Sequence, residues 1–418
     1  MRIGLIGHNS VEYIQRLLQI WNNNDSAVLL DPDMPFSVVS SILNESNVEK
    51  LLIEDTLLTR SENLSSFEII PYHIKHQMPC TLPESVRELY EPRYDESEAV
   101  VIYSSGTTGR CKGVSLSHRA ISNNADSIID YMDLSDRDVL YLNKKLTHSS
   151  TLVGELLAAL KSGSDILLSL LAVPPRVAFR NITDHNVSIL CCNPSLLKMY
   201  SDEAERTGSF PESVRTVYTS GDMISSKEIE RARTVFKCPV FNVYGQTECG
   251  PRITAQTIDF FHGNSVGKPI KNVEIKIADN NEIVVKTNSL FSGYTNREIP
   301  VEEWHRTGDT GYLDENGELY ITGRADNMII VDSHNIYPEA VEQLIIENTE
   351  VKDCVVFKEN DKLVCSYKAD NELGTDIIKT MRTKLLPYEV PRSFRRVNEI
   401  PMNKNGKKIR NNCQGEQR

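Results

Sequence analysis

Tyr103 to His118 reads YSSGTTGRCKGVSLSH. Between Tyr103 and Gly113 it holds two serines, two threonines, three glycines and one lysine. The apolar run Ala99-Val100-Val101-Ile102 comes directly before it. The stretch therefore predicts a strand, then a loop of glycines and small hydroxyl residues, then a helix. Such a loop suits polyphosphate. Glycines let backbone N–H groups approach the anion, hydroxyls donate to its oxygens, and a lysine supplies charge. The common nucleotide loop GxxxxGK[ST] is not met, because Gly113 follows Lys112, which lies three residues beyond Gly109.

The rest of the chain sets this loop in an α/β context. Arg2–Ile6, Ser26–Leu30 and Lys50–Ile53 read as strands, with helices from Val11 and Phe36 between them. Asn9 and Glu12 have capping-box spacing. Residues 55–96 are polar and weakly patterned and read as a connection. After His118 the alternation resumes, with helices near 119–132, 152–161 and 225–236. The strands between them end near Leu142, Leu170, Cys191, Thr219 and Val243. This predicts parallel sheets with helices on their faces. From Pro251 the period changes to two, as in Val273 to Ile277, and Asp314-Glu315-Asn316-Gly317 is a hairpin signal. The expected fold is α/β to about residue 250 and β-rich over 251–325. A small α+β domain is expected over 326–418.

Composition narrows the partners. The chain has 418 residues and a formal net charge of −12, which argues against nucleic acid or an anionic membrane as the main partner. No apolar run approaches the ~20 residues of a membrane span. The apolar run near the start, Ile3 to Ile6, is too short for a signal peptide. Nine cysteines, none in a CxxC pair, read as free thiols of a reducing cytoplasm. The GxGxxG fingerprint of a dinucleotide oxidoreductase is absent despite Gly4 and Gly7.

Further segments stand out in order: His148-Ser149, Ser220-Gly221-Asp222, NVYGQTE from Asn242 to Glu248, Thr307-Gly308-Asp309, GRAD from Gly323 to Asp326, and PMNKNGKKIR from Pro401 to Arg410. Singly, each has a plain explanation as a turn, a satisfied histidine or a solvated basic run. Together with the glycine loop, in this order and spacing, they resemble the adenylate-forming superfamily of acyl- and aryl-CoA ligases, luciferases and peptide-synthetase adenylation domains. The resemblance covers nearly the whole chain. It implies a large N-terminal domain, 1–325, and a small mobile domain, 326–418, with the active site between them.

The resemblance also implies roles. Ser104, Ser105, Gly106, Thr107, Thr108 and Lys112 match the loop on the β- and γ-phosphates of ATP. Tyr244, with Gly245 and Thr247 beside it, matches the aromatic that stacks on adenine. Asn242, Gly221 and Asp222 match residues lining the base. Glu248 matches the Mg²⁺ carboxylate. Asp309 resembles the acid on the ribose hydroxyls, and Arg324 its partner. Lys407 matches the lysine that reaches the substrate carboxylate and the α-phosphate, and Asp326 the hinge. His148 completes the catalytic set with Lys407 and Glu248. The expected acid pocket is Ser149, Leu152, Val153, Cys192, Asn193, Ser220 and Cys249, with Cys191 read as core.

The pattern has three departures. The segment before Arg2 is shorter than the family's, which reads as a compact variant. Asp332-Ser333 stand where the family commonly has glycine near the thiol arm. Ser149 stands where amino-acid-activating members commonly have aspartate. The expected function is ATP-dependent activation of a carboxylic acid, then transfer to a phosphopantetheine thiol. The first expectation is an aryl acid of the hydroxybenzoate type, loaded onto a carrier protein in siderophore or secondary metabolism. The alternative is an aryl- or acyl-CoA ligase. A non-catalytic nucleotide-binding relative is disfavoured by Lys407, Glu248 and Asp309.

Overall fold

The computed structural model describes residues 1–105, 111–295, 302–331, 334–359, 362–402 and 408–410. Its body is built on two sheets. The first has the spatial order 293–294, 111–117, 98–105, 26–30, 2–6, 50–54, 68–72. From 98–105 to 68–72 its neighbours are parallel. The second is eight-stranded, with a parallel centre of 240–244, 216–219, 189–192, 139–142 and 165–168. Strands such as Ser26–Leu30, buried at every residue, need cover on both faces. A core containing Leu17, Val100, Ile121, Leu156 and Tyr218 provides it on the inner side. Separate cores cover the outer faces. No helix among the described residues is long and apolar enough to cross a membrane.

Residues 273–324 add a four-stranded antiparallel sheet, and Asp314–Gly317 turns its last hairpin as expected. The boundary we propose at 325/326 falls in the 3₁₀ turn Ala325–Asn327. Beyond it, helices Pro338–Asn348 and Gly374–Met381 pack on strands 353–359, 362–368 and 393–396 around their own core of Ile345, Cys354, Tyr367 and Ile377. This unit touches the body at the helix Ser226–Phe236. Lys227 Nζ donates to the carbonyls of Ile346 and Thr349 at 3.0 and 2.9 Å, where a helix end leaves carbonyls unpaired.

Three local expectations are corrected. The glycine loop leads into a second strand, Cys111–Ser117, that pairs antiparallel with 98–105; the helix begins only at His118. The strand's alternation is short, with only Val114 and Leu116 buried inward, and so carries little strand signal beside the glycines. The first helix is capped by Ser10, whose hydroxyl accepts from Tyr13 N at 3.1 Å. Asn9 instead bonds the carbonyl of Lys144 and the amide of Leu146, and Glu12 accepts from Lys75 N and His76 N. Within 55–96, Glu68–Tyr72 extends the first sheet as a parallel edge strand. Edge strands are only half covered, so their apolar signal is weak.

Candidate active site

The strand Val240–Tyr244 is buried until its last residue, and Tyr244 to Glu248 are half-buried. The chain thus leaves the sheet as an accessible rim standing on core. Asn242 is buried, with its N–H on Gln256 Oε1 at 2.9 Å. Gly245 is required by crowding, because a Cβ there would stand 1.8 Å from the Pro251 carbonyl. Tyr244 donates its hydroxyl to Asp309 Oδ2 at 2.6 Å. Arg324 Nη1 donates to Asp309 Oδ1 at 2.9 Å, and its Nε to Asp326 Oδ1 at 3.1 Å. Antiparallel register puts Asp309 opposite Arg324. Desolvation, reinforced by Asp309, raises the Tyr244 phenol well above its ordinary value, so it remains a donor. Four predicted residues from three segments therefore form one junction.

Glu248 lies next along the rim. Its Oε1 accepts from Tyr294 OH at 2.9 Å, and Lys112 Nζ lies 5.7 Å from the Tyr294 ring centroid. Tyr294, which the sequence did not single out, thus bridges the glycine-loop strand and the YGQTE turn. Gln246 links the rim to Thr307 O at 3.3 Å and to His305 Nε2 at 3.1 Å. Ser104 and Ser105 end the strand 98–105, opposite Lys112 and Cys111. Gly106, Thr107, Thr108 and Lys407 lie outside the described residues, as do Asp332 and Ser333. The chain beside Lys407 is anchored: Met402 bridges Lys408, Lys408 Nζ meets Asp353 Oδ1 at 2.7 Å, and Arg410 pairs with Glu342 and with Glu339. Gly221 and Asp222 are exposed at the end of strand 216–219, and Asp222 Oδ1 accepts from Met223 N.

The residues expected to line an acid pocket lie on and around the helical stretch from Ser149 to Ser162, which is π-wound over Leu152–Leu157. Wide turns of this kind recur at functional sites. His148 is exposed at its start. Ser149 is buried, and its hydroxyl lies 2.9 Å from that of Thr247, tying this helix to the YGQTE rim. Leu152, Val153 and Cys249 are enclosed in the inner core, and burial, then Glu248, holds the Cys249 thiol well above its ordinary value. Ser220 donates its N–H to Cys192 O at 3.1 Å. Two placements differ from expectation. Cys192 faces the outer core with Leu197 and Tyr200, while Cys191 faces inward with Tyr218, because successive strand residues alternate faces. Asn193 is spent as a helix cap, accepting from Leu196 N at 2.8 Å.

Behind Ser149 lie charges that sequence reasoning missed. Lys144 Nζ stands 2.7 Å from Glu155 Oε1, with Glu155 only 1% exposed. Arg252, 2% exposed, holds Asn124 through its backbone N–H and carbonyl. No short motif carries these residues; a charge amid apolar neighbours, as in STLVGELLAAL, was the available signal.

Comparison with known proteins agrees with this layout. The profile of the AMP-binding enzyme family matches residues 1–295, and that of the AMP-binding enzyme C-terminal domain matches 340–407. A 2-succinylbenzoate–CoA ligase of Lactococcus lactis is 25% identical over 99% of this chain and 90% of its own length. The O-succinylbenzoate coenzyme A synthetase of Bacillus subtilis, solved with ATP and magnesium, superposes with a TM-score of 0.81 at 24% identity, covering 98% of this chain and 88% of that one. The anthranilate CoA ligase AuaEII, solved with anthranoyl-AMP, gives 0.83 at 18% identity, covering 97% and 85%. With its first 295 residues matched by one family profile and its C-terminal unit by the companion profile, the chain belongs to the AMP-binding enzymes, the adenylate-forming ligases.

Proposed function

We propose that this chain joins an aryl carboxylic acid to coenzyme A by way of an acyl-AMP. The observation that carries the reading is the Tyr244–Asp309–Arg324 junction, set beside Glu248 and the glycine-loop strand. Its carboxylate and phenol suit a ribose and a base, and the glycine loop beyond suits a triphosphate. The nucleotide is ATP. Among the described residues no group of three or more His, Cys, Asp or Glu side chains could hold a metal. A single half-buried carboxylate, Glu248, fits a hard cation that takes its other ligands from phosphate and water, as Mg²⁺ does. Glu248 would hold that Mg²⁺, which when bound offsets phosphate charge.

In the first step a carboxylate oxygen of the acid attacks the α-phosphorus. The bond to pyrophosphate breaks and pyrophosphate leaves. Lys407 reduces the repulsion between the two anions and stabilises the charge that develops at the α-phosphate. Asp309 and Arg324 hold the sugar end, so the α-phosphorus has a fixed position relative to Ser149 and Thr247. In the second step a thiolate attacks the acyl carbon and AMP leaves. Ser149 in place of an anion disfavours the ammonium of an amino acid. The named relatives are CoA ligases, which supports coenzyme A over the carrier protein first expected; carrier loading in siderophore or secondary metabolism is the second reading.

Pyrophosphate exchange against aryl, fatty and amino acids tests the first step. Aryl acids are expected to drive it, and exchange with amino acids alone would sink the reading of Ser149. Thioester formation is then expected with CoA; product only with a pantetheinylated carrier would reverse the choice of acceptor.

A further inference from the structure

Tyr294 stands between the glycine-loop strand and the YGQTE turn, and neither motif contains it. Its segment is strapped to the strand that follows the glycine loop. Ser292 N donates to Ser115 O at 2.8 Å, Thr295 N donates to Gly113 O at 2.9 Å, and Tyr294 lies opposite Val114 in antiparallel register. Gly113 allows this approach, because a Cβ there would stand 2.5 Å from Thr295 Oγ1 and 2.8 Å from Tyr103 Cζ. On the other side Phe291 N donates to Glu248 O at 2.9 Å, which ties the same segment to the YGQTE turn. The Tyr294 ring packs edge-on to Phe291, with centroids 5.0 Å apart. Backbone and ring are both held, so the hydroxyl has a set direction.

Glu248 is the other half of the contact. It is half-buried, and no Lys, Arg or His nitrogen among the described residues lies within 4.0 Å of its carboxylate. Among those residues its one side-chain hydrogen bond comes from Tyr294 OH, at 2.9 Å, and falls on Oε1. A phenol is neutral, so it orients the carboxylate and leaves its charge unmatched. An unsupported glutamate carboxylate turns broadly about its last torsion. A fixed donor on Oε1 removes much of that freedom and leaves Oε2 for a cation. Carboxylates that bind metals are themselves held by hydrogen bonds from the groups behind them.

We infer that Tyr294 is a positioning residue for the nucleotide's metal: its hydroxyl holds Glu248 by Oε1 and so presents Oε2 to the cation. The inference rests on the ligase reading above, in which Glu248 holds Mg²⁺, and adds to it the residue that sets that carboxylate.

The test is calorimetric binding of ATP to the full chain, once with Mg²⁺ and once with EDTA. The wild type is expected to bind more tightly with Mg²⁺. Tyr294→Phe removes the hydroxyl and keeps the ring beside Lys112. It is expected to weaken binding about tenfold with Mg²⁺, as for other groups behind a metal ligand, and to leave binding in EDTA unchanged. In a Glu248→Gln background the same change is expected to cost nothing further, because the hydroxyl acts through that carboxylate. A thermal midpoint near that of the wild type shows that each variant is folded. Tyr294→Phe that binds like the wild type with Mg²⁺, or that loses equally with Mg²⁺ and EDTA, overturns the inference alone. So does an undiminished loss in the Glu248→Gln background. A wild type that binds ATP alike with and without Mg²⁺ overturns it too, while pyrophosphate exchange still judges the ligase reading. A wild type that binds no ATP, and exchanges pyrophosphate with none of the acids above, overturns the ligase reading and this inference with it.

Discussion

The two halves of the site are made differently. On the side proposed for the nucleotide, Tyr244 and Arg324 end their strands, Asp309 lies mid-strand, and the three meet in charge-assisted hydrogen bonds of 2.6 and 2.9 Å. All three are half-buried, with surface left for a ligand. On the acid side, Lys144, Glu155 and Arg252 come from a loop, a π-wound helix and a turn, and several of their polar atoms are unpaired. Among the described residues, the half proposed for the nucleotide is closed by its own hydrogen bonds. The half proposed for the acid holds a buried carboxylate, Glu155, met by Lys144 at 2.7 Å.

The contrast can be broken experimentally. The largest effect is expected from Lys407→Ala, which should lower pyrophosphate exchange by about 10²–10³-fold while nucleotide binding and thermal unfolding barely move. Exchange at the wild-type rate would remove Lys407 from the chemistry. Glu155→Gln should act on the other half. It leaves Lys144 without its buried carboxylate partner, so denaturant unfolding should show a loss of about 3 kcal/mol with nucleotide affinity unchanged. Asp309→Asn should do the reverse, raising the KM for ATP by about tenfold, near the low end for a hydrogen bond to a charged group, and leaving the KM for the acid alone. A matching rise in both constants would show that the halves are not separate.

The smallest effect concerns pH and neither half. His118, 4% exposed and edge-on to Trp21, is pushed down from 6.5 to about 4, by burial first and Arg93 second. The unfolded chain takes up a proton below about 6.5 that the folded one refuses. Stability is thus full above that pH and falls as pH drops toward 4. Between pH 7 and 5 the loss should be about 1–2 kcal/mol, and His118→Asn should flatten that slope in urea titrations.

That Tyr244, Asp309 and Arg324 come together was legible because they travel in short strings. YGQTE, TGD and GRAD each combine a turn with a functional side chain, and the turn fixes where the side chain goes. The strings do not say what stands between them. Tyr294 and His305 fill those gaps, and neither carries a local signal. The acid half was legible only at Ser149. Cys191 and Cys192 show why: both are small and buried, and only the phase of the strand decides which one looks inward. The basic run near the C-terminus, singled out for Lys407, also supplies Lys408 and Arg410 to ion pairs with Asp353, Glu339 and Glu342.

The sequence alone determined the alternation of strand and helix, the change to period two after Pro251, and the motifs in family order. These are local, set by hydrophobic period and turn chemistry. Tertiary structure decided that the glycine loop joins two antiparallel strands and that Ser149 touches Thr247. It also decided that Arg252 comes to rest on Gly154. The last two facts depend on contacts between residues about a hundred positions apart, which no local pattern carries.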